Sequence, residues 1–146
     1  MSDTHKLAWA AGFIDGDGFV TIQERNSTVN GKRYRGFYLL LGVNHVAPAP
    51  LYELQKLFGG NVVHVKLKKN YDGFNRKDRY TWKVNCQQAR EALLQLMPYL
   101  VNKIEVAQLG IDFQNTFTGK VYKVSDELHE HRRNFKIKIM ELNSLD

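Results

Sequence analysis

The stretch Ala10-Ala11-Gly12-Phe13-Ile14-Asp15-Gly16-Asp17-Gly18 decides the fold, because it continues a helical pattern while carrying residues that weaken a helix. Capping by Asp3 or Thr4 and the apolar spacing that follows predict an N-terminal helix from about His5 to Asp15. Glycine in a helix interior costs about 1 kcal/mol relative to alanine. The two internal glycines of this stretch therefore require an explanation beyond helix formation.

Ala8, Gly12 and Gly16 are four residues apart, so on a helix they lie along one face as a small-residue stripe. Such a stripe lets another helix approach until the two backbones nearly touch. Two interpretations are open: tight packing within one subunit, or pairing of this helix with its counterpart in a second copy of the chain.

Asp17 lies where the predicted helix ends, and a helix C-terminus already carries partial negative charge. One interpretation is a solvated turn aspartate, which flanking glycines favour. The other is a carboxylate whose charge a cation offsets. If two copies pair along the stripe, two Asp17 carboxylates come close together and need a counterion. A hard divalent ion with oxygen ligands, such as Mg²⁺, suits such a site.

The rest of the chain predicts an α+β fold in a single domain over residues 1–146, with a four-stranded antiparallel sheet and helices on one face. Asn30-Gly31 is a typical hairpin turn. The predicted strands are Phe19–Arg25, Arg33–Asn44, Asn61–Lys69 and Arg79–Asn85, and the later predicted helices are Leu51–Phe58, Gln87–Met97, Pro98–Phe117 and Val124–Leu142.

Composition indicates the class of partner. The chain has 21 Lys and Arg residues against 15 Asp and Glu residues, a net charge of +6, which favours a polyanionic ligand. A single cysteine, Cys86, excludes an intrachain disulfide and a thiolate zinc site. We expect no membrane partner and an intracellular location, in the cytoplasm, nucleoid or an organelle, because neither a signal peptide nor a membrane span is evident.

The N-terminal stretch resembles the LAGLIDADG motif of homing endonucleases, and the predicted order of helices and strands is similar to the αββαββα order of that family. Ala10, Phe13 and Gly16 depart from the letters of the name, although glycine at the last of these positions is common in the family. The resemblance implies a homodimer, because one motif is present. It also implies a site-specific double-strand break in a long, partly palindromic DNA target by Mg²⁺-dependent phosphodiester hydrolysis.

The resemblance also implies roles for individual residues. Asp17 matches the metal-binding acid and the carbonyl of Gly16 matches a backbone metal ligand, whereas Asp15 is expected to be structural. Lys103, in the segment Pro98-Tyr99-Leu100-Val101-Asn102-Lys103, matches a lysine that reaches the cleavage centre.

The family often carries a glutamine near the end of the second strand, where this chain instead has Val43-Asn44-His45. His45 or Asn44 is therefore expected to organise water there. Alternatives within the same fold are an intron RNA maturase and a DNA-binding module that does not cleave. An unrelated basic RNA-binding protein is a further alternative, although that class is expected to expose several stacking aromatics on its sheet.

Side-chain alternation predicts which strand residues face the DNA, since residues of a strand point to opposite faces in turn. A curved sheet can enter the major groove, where base edges present a full donor and acceptor code. An ordinary solvated sheet face is the competing interpretation. The predicted DNA-contacting residues are Thr21, Gln23, Arg25, Ser27, Arg33, Tyr34, Arg35, Tyr38, Asn44, His64, Lys66, Lys68, Arg79, Thr81 and Lys83.

Overall fold

The computed structural model describes residues 3–66, 78–117 and 124–145. A 3-10 turn over Met97–Tyr99 separates the third and fourth helices. The elements are α1 (Asp3–Asp17), β1 (Gly18–Val29), β2 (Lys32–His45), α2 (Ala49–Phe58), β3 (Asn61–Val65), β4 (Arg79–Asn85), α3 (Cys86–Leu96), α4 (Ile104–Gln114) and α5 (Asp126–Asn143).

The four strands form one antiparallel sheet in the order β1-β2-β4-β3, which confirms the predicted fold class. In the described part of the chain, helices α1 to α5 all contact strands on the same side, where the inward residues of the sheet are buried. Val20, Leu41 and Trp82, one from each of β1, β2 and β4, have no exposed surface. We call this side the inner face and the opposite side the outer face.

The hairpin that joins β1 and β2 follows the predicted turn chemistry. Asn30 and Gly31 both have positive φ angles, 52° and 79°, as the type I′ turn requires. Because this turn matches the twist of the strands, the ladder continues from Gly18 paired with Val43 out to the turn itself. Both strands are therefore longer than the sequence pattern predicted.

The predicted face assignment of β3 is wrong. Side-chain alternation from the sequence predicts His64 and Lys66 on the outer face and, between them, the valines at 63 and 65 on the inner face. In the structure Val63 pairs with Thr81 on the outer face, and His64 turns inward. Lys66 follows the end of β3 as an exposed residue outside the ladder.

Adjacent valines explain this error. Because both Val62 and Val63 are apolar, the pattern of this strand fits either phase of the alternation. Packing decides between them: Val62 pairs with the buried Trp82 and lies against the core. His64 consequently stacks on Tyr80, with 4.7 Å between the ring centroids, and its Nε2 lies 3.0 Å from a carboxylate oxygen of Asp78.

The predicted helix from Pro98 to Phe117 is also wrong at its start. Pro98 lies in the 3-10 turn, and residues 101–103 form a bend before α4 begins at Ile104. Within α4, Gly110 packs directly on the sheet. A Cβ atom there would lie 2.9 Å from a methyl carbon of Leu39, so a larger residue would push α4 away from the core.

The last helix, α5, is fastened to the sheet and to α4. Nδ2 of Asn143 donates to the main-chain oxygen of Val20 at 3.1 Å, and Nζ of Lys136 lies 3.0 Å from a carboxylate oxygen of Glu24. These contacts hold α5 along β1. Across the described ranges, we find no helix whose length and apolar character would suit a membrane crossing.

A buried arginine joins α5 to the end of α4. Arg132 is 6% exposed, and burial lowers its pKa from the usual arginine value. Its Nε donates to the hydroxyl of Thr116 at 2.9 Å and its Nη2 to the Thr116 carbonyl at 3.1 Å. The guanidinium carbon lies 3.7 Å from the centroid of the Phe117 ring. The charge thus rests on an aromatic face beside the negative end of a helix dipole.

We expect Arg132→Met to lower the free energy of unfolding by about 2 kcal/mol, because it removes two hydrogen bonds and a cation–π contact while keeping the apolar stem. Urea unfolding followed by circular dichroism measures this change. Arg133→Met, at an exposed neighbouring position, is the control and should change stability by less than about 0.5 kcal/mol. Equal effects of the two substitutions would contradict the anchoring role.

Candidate functional site

The two acids at the end of α1 have different surroundings, and Asp15 is bound to the chain itself. Its Oδ2 accepts a hydrogen bond from the backbone N–H of Val101 at 2.7 Å, and its Oδ1 accepts one from the backbone N–H of Lys103 at 2.9 Å. Both carboxylate oxygens are therefore used to hold the α3–α4 connection in a bend. This agrees with the structural role expected for Asp15 and explains why α4 does not begin at Pro98.

The same contact positions Lys103. Because its backbone is bound to Asp15, its side chain turns back across the end of α1, and Nζ donates to the main-chain oxygen of Asp15 at 3.1 Å. Asn102 reaches the same oxygen at 3.5 Å. A cation at this position offsets the partial negative charge of the helix C-terminus. The structure thus brings Lys103 to the end of the helix that bears Asp17.

Asp17 is the last residue of α1, and its side chain is 55% exposed. Its one charged or polar side-chain partner within the described parts of the chain is His45, whose Nε2 lies 3.9 Å from Oδ2. That distance exceeds a hydrogen bond, although a water molecule could bridge the two atoms. The predicted catalytic pair is therefore brought together by the end of α1 and the end of β2.

His45 is held in one orientation by its own backbone neighbourhood. The N–H of Ala47 donates to Nδ1 at 3.0 Å, which makes Nδ1 an acceptor and places the hydrogen of the neutral ring on Nε2, facing Asp17. The Ala47 carbonyl also lies 3.2 Å from Nδ1, but a ring nitrogen that accepts from the N–H cannot donate to it. The edge-to-face contact with Phe13, at 5.3 Å between centroids, limits rotation of the ring.

The ligand set available to a metal in one chain is small and consists of oxygen. Asp17 offers a carboxylate, and Gly16 offers a main-chain carbonyl in the last turn of the helix, where carbonyls lack a helical partner. No group of three His, Cys, Asp or Glu residues able to hold a metal occurs among residues 3–66, 78–117 and 124–145. Hard oxygen donors of this kind fit Mg²⁺, which keeps several water ligands.

The small-residue stripe faces away from its own subunit. Ala8, Gly12 and Gly16 are all exposed, and a Cβ atom built on either glycine would meet nothing within 4 Å. Tight packing within one subunit therefore does not explain these glycines. A shallow depression lined by Ala8 and Gly12 of the stripe, together with Trp9 and Phe13, continues to Asp17 and His45. The stripe and the candidate site therefore share one surface.

The outer face of the sheet is basic. Among the strand residues that the structure describes on this face are the exposed cations Arg25, Arg79 and Lys83, and none of these residues is acidic. Two of the predicted contact residues already interact there: the hydroxyl of Tyr38 donates to Oε1 of Gln23 at 2.9 Å, and the Arg25 guanidinium lies 4.8 Å from the Tyr38 ring. Thr21 occupies the same face.

Thr81 lies on the outer face, as predicted, but it is only 8% exposed. This burial does not support the prediction that Thr81 contacts DNA directly. Its hydroxyl donates to Oδ1 of Asn44 at 2.6 Å, which orients the exposed Asn44 amide. Ser27, Arg33, Tyr34 and Arg35 have backbones in β1 or β2, and their side chains lie outside the described structure; Lys68 lies outside the described residues altogether.

Sequence reasoning missed part of the outer face. Asn61, Val63 and Val65 share it with Thr81 and Arg79, because β3 has the opposite phase to the predicted one. The signal that could have found them is the size of Trp82. A residue so large is placed in the core, and its partner Val62 must then face the core as well.

No protein-family model and no curated protein sequence matches this chain. Solved structures do. The homing endonuclease I-CvuI, in a complex with DNA, aligns with a TM-score of 0.74 and 23% identity over 96% of this chain and 83% of its own. The archaeal intron-encoded homing endonuclease I-Vdi141I, complexed with DNA, aligns with a TM-score of 0.73 and 9% identity over 97% and 86%.

A third solved structure is longer than this chain. The LAGLIDADG homing endonuclease I-GzeII, in complex with its DNA target, aligns with a TM-score of 0.61 and 14% identity over 89% of this chain but only 43% of its own. Because the sequence identities are below 25%, these alignments show a shared fold and nothing more specific.

We expect Asp15→Asn to lower the free energy of unfolding by about 2 kcal/mol, since an amide offers an N–H₂ group where one of the two backbone N–H donors needs an acceptor. Thermal or urea unfolding measures the loss. Asp112→Asn is the matched control, because among the described residues the side chain of Asp112 accepts a hydrogen bond only from Gln108 on its own helix. Retention of full stability by Asp15→Asn would contradict the anchoring of the α3–α4 connection.

Proposed function

We propose that this chain, which has the fold of the LAGLIDADG homing endonucleases, is one subunit of a homodimer that binds a long, partly palindromic DNA site and cleaves both strands with the help of a divalent cation. One observation carries the proposal. The exposed small-residue stripe, whose two glycines have no packing partner among the described residues of the subunit, runs along α1 to the half-exposed carboxylate of Asp17.

Pairing about a two-fold axis gives the stripe the helix partner that it lacks. Each subunit then contributes one Asp17 near the axis, and the two carboxylates repel each other unless cations lie between them. A two-fold axis also makes the two DNA half-sites equivalent, which accounts for a partly palindromic target. The 43% coverage of I-GzeII supports this arrangement, because a chain of that length has room for a second copy of the fold.

Within each subunit, Asp17 and the Gly16 carbonyl would hold a divalent cation, with Mg²⁺ the best match to their oxygen donors. When bound, such an ion lowers the pKa of its water ligand and offsets charge on the phosphate that is being attacked. His45 presents Nε2–H on the side of Asp17 and can orient a water molecule by hydrogen bonding. The Lys103 ammonium, held at the end of α1, adds positive charge where the phosphate charge increases.

The outer face supplies the DNA-binding surface in this proposal. Arg25, Arg79 and Lys83 attract the phosphate backbone, and the absence of acids from the described strand residues of this face removes like-charge repulsion. Gln23, fixed by Tyr38, and Asn44, fixed by Thr81, present oriented amides to base edges. Amides held in this way lose less conformational entropy on binding and discriminate between bases more sharply.

We expect Asp17→Asn to retain DNA binding and to lower the cleavage rate by about 100-fold or more, because the amide weakens cation binding and leaves the fold intact. Duplexes with a randomised insert are first selected on the protein with Ca²⁺ and then assayed for cleavage with Mg²⁺. Asp112→Asn controls for replacing an acid by an amide elsewhere. Cleavage at the wild-type rate by the Asp17 variant would refute the assigned role, and binding without cleavage by both proteins would favour a non-cleaving module.

We expect Gly12→Leu to act in opposite directions on the subunit and on the dimer. Leucine is the better helix former by up to about 1 kcal/mol, and the subunit has open space for its side chain, so a single subunit should not be destabilised. The same side chain would separate the paired helices and weaken dimerisation. Sedimentation equilibrium and urea unfolding measure the two effects.

Glu91→Leu, at an exposed position of α3, controls for the added apolar surface. An unchanged dimer dissociation constant for Gly12→Leu would exclude pairing along the stripe. A wild-type chain that is monomeric at micromolar concentration, both free and on DNA, would exclude the homodimer itself.

A further inference from the structure

Two valines on the edge strand β3 project from the outer face. Val63 pairs with Thr81 and Val65 pairs with Arg79, so both point to the same side as the cations of this face. They are 55% and 40% exposed, although Val62, in the same strand, packs against the core. The described part of the subunit therefore leaves two large apolar side chains exposed on this face.

The position of these valines is unusual for an edge strand. Proteins commonly protect an exposed edge with charged or inward-pointing residues, because apolar edge strands aggregate. Here the charges are carried by the neighbouring β4, where Arg79 and Lys83 flank the valines. A surface that is basic around a small apolar centre suits a polyanion that has apolar groups of its own.

The major groove of DNA has that chemistry. Its rims are phosphates, and the apolar group that its base edges expose is the C5-methyl group of thymine. The spacing also fits. Residues two apart in a strand are separated by about 6.6 Å, and two base-pair steps span about 6.8 Å of the DNA axis. If β3 lies in the groove nearly parallel to the DNA axis, each valine meets a base pair, and one base pair lies between them.

We propose that Val63 and Val65 recognise C5-methyl groups of pyrimidines two base pairs apart in each half-site, an inference that rests on the proposed DNA-binding function. Thymine is the normal source of such a methyl group, and 5-methylcytosine supplies the same group. The valines thus act as specificity determinants that favour bases carrying a methyl group. They contribute no charge and do not contact the scissile phosphate.

A competing occupant of this surface is the edge strand of another protein molecule. Pairing through the edge would use the backbone N–H and C=O groups of β3, whereas Val63 and Val65 project roughly perpendicular to the sheet. The like charges of Arg79 and Lys83 on two copies would also repel each other. The basic surroundings therefore favour DNA over a second copy.

The experiment first changes the DNA and keeps the protein as wild type. Its main result therefore does not depend on whether a protein variant folds. Wild-type protein is used to select duplexes from a randomised library with Ca²⁺ present, and the selected sequences are examined for positions that require thymine. At each such position, thymine is replaced by uracil, which lacks only the methyl group. We expect two positions per half-site, separated by one base pair, at which uracil weakens binding about four-fold, as loss of one buried methyl group predicts.

At these two positions, 5-methylcytosine paired with guanine should bind more tightly than unmodified cytosine by a similar factor. The double variant Val63→Ala/Val65→Ala should bind thymine and uracil duplexes equally. Val124→Ala, which changes a comparably exposed valine before α5, should keep the wild-type preference. Melting temperatures of the variants establish that each one is folded.

The outcomes separate this inference from the proposed function. Selection of a defined site with no loss of affinity on uracil substitution would overturn methyl recognition and leave DNA binding intact. A methyl effect that persists in the Val63→Ala/Val65→Ala protein would assign the recognition to other residues and overturn the proposal. Failure to select any site would refute the proposed function itself. Concentration-dependent self-association abolished by the double variant, without a methyl effect, would identify a protein partner instead.

Discussion

The carboxylate of Asp15 makes the contact on which the rest of the site depends. Its two oxygens accept the backbone N–H groups of Val101 and Lys103, which joins the end of α1 to the connection between α3 and α4. Side chains two residues apart on a helix do not face the same way. Asp15 is therefore used for structure while Asp17, in the same turn, is left exposed beside His45. One short segment thus supplies both the support and the exposed carboxylate to which we assign the cation.

The sheet performs two tasks with the same four strands. Alternate residues build the core, in which Trp82 and the aliphatic residues of β1 and β2 are buried, and the intervening residues form a basic outer face. Hydrogen bonds within that face orient the amides of Gln23 and Asn44 before any ligand binds. The arginine that fastens α5 to α4 lies on the opposite side, so the contacts that stabilise α5 and the residues of the basic outer face lie in separate layers.

Local patterns predicted the elements well, and contacts distant in sequence caused the errors. Asn30-Gly31 specified its hairpin, because the positive φ angles of a type I′ turn are a property of those two residues. The start of α4 was predicted at Pro98, since no local signal reveals that Asp15, more than 80 residues earlier, holds that backbone in a bend. The predicted phase of β3 was wrong because adjacent valines fit either face of the sheet. Only packing against Trp82 selects one of the two phases.

The amino-acid sequence by itself determined the order of helices and strands, the basic charge, and the small-residue stripe that ends in Asp17, because periodicity, turn chemistry and composition are local properties. Tertiary structure decided which groups meet. It brought His45 and Lys103 to the end of α1, exposed the stripe, buried Thr81 beneath the outer face and turned two valines of β3 outward. These outcomes depend on packing between residues far apart in the chain, where volume and hydrogen-bond geometry, rather than residue type alone, select the arrangement.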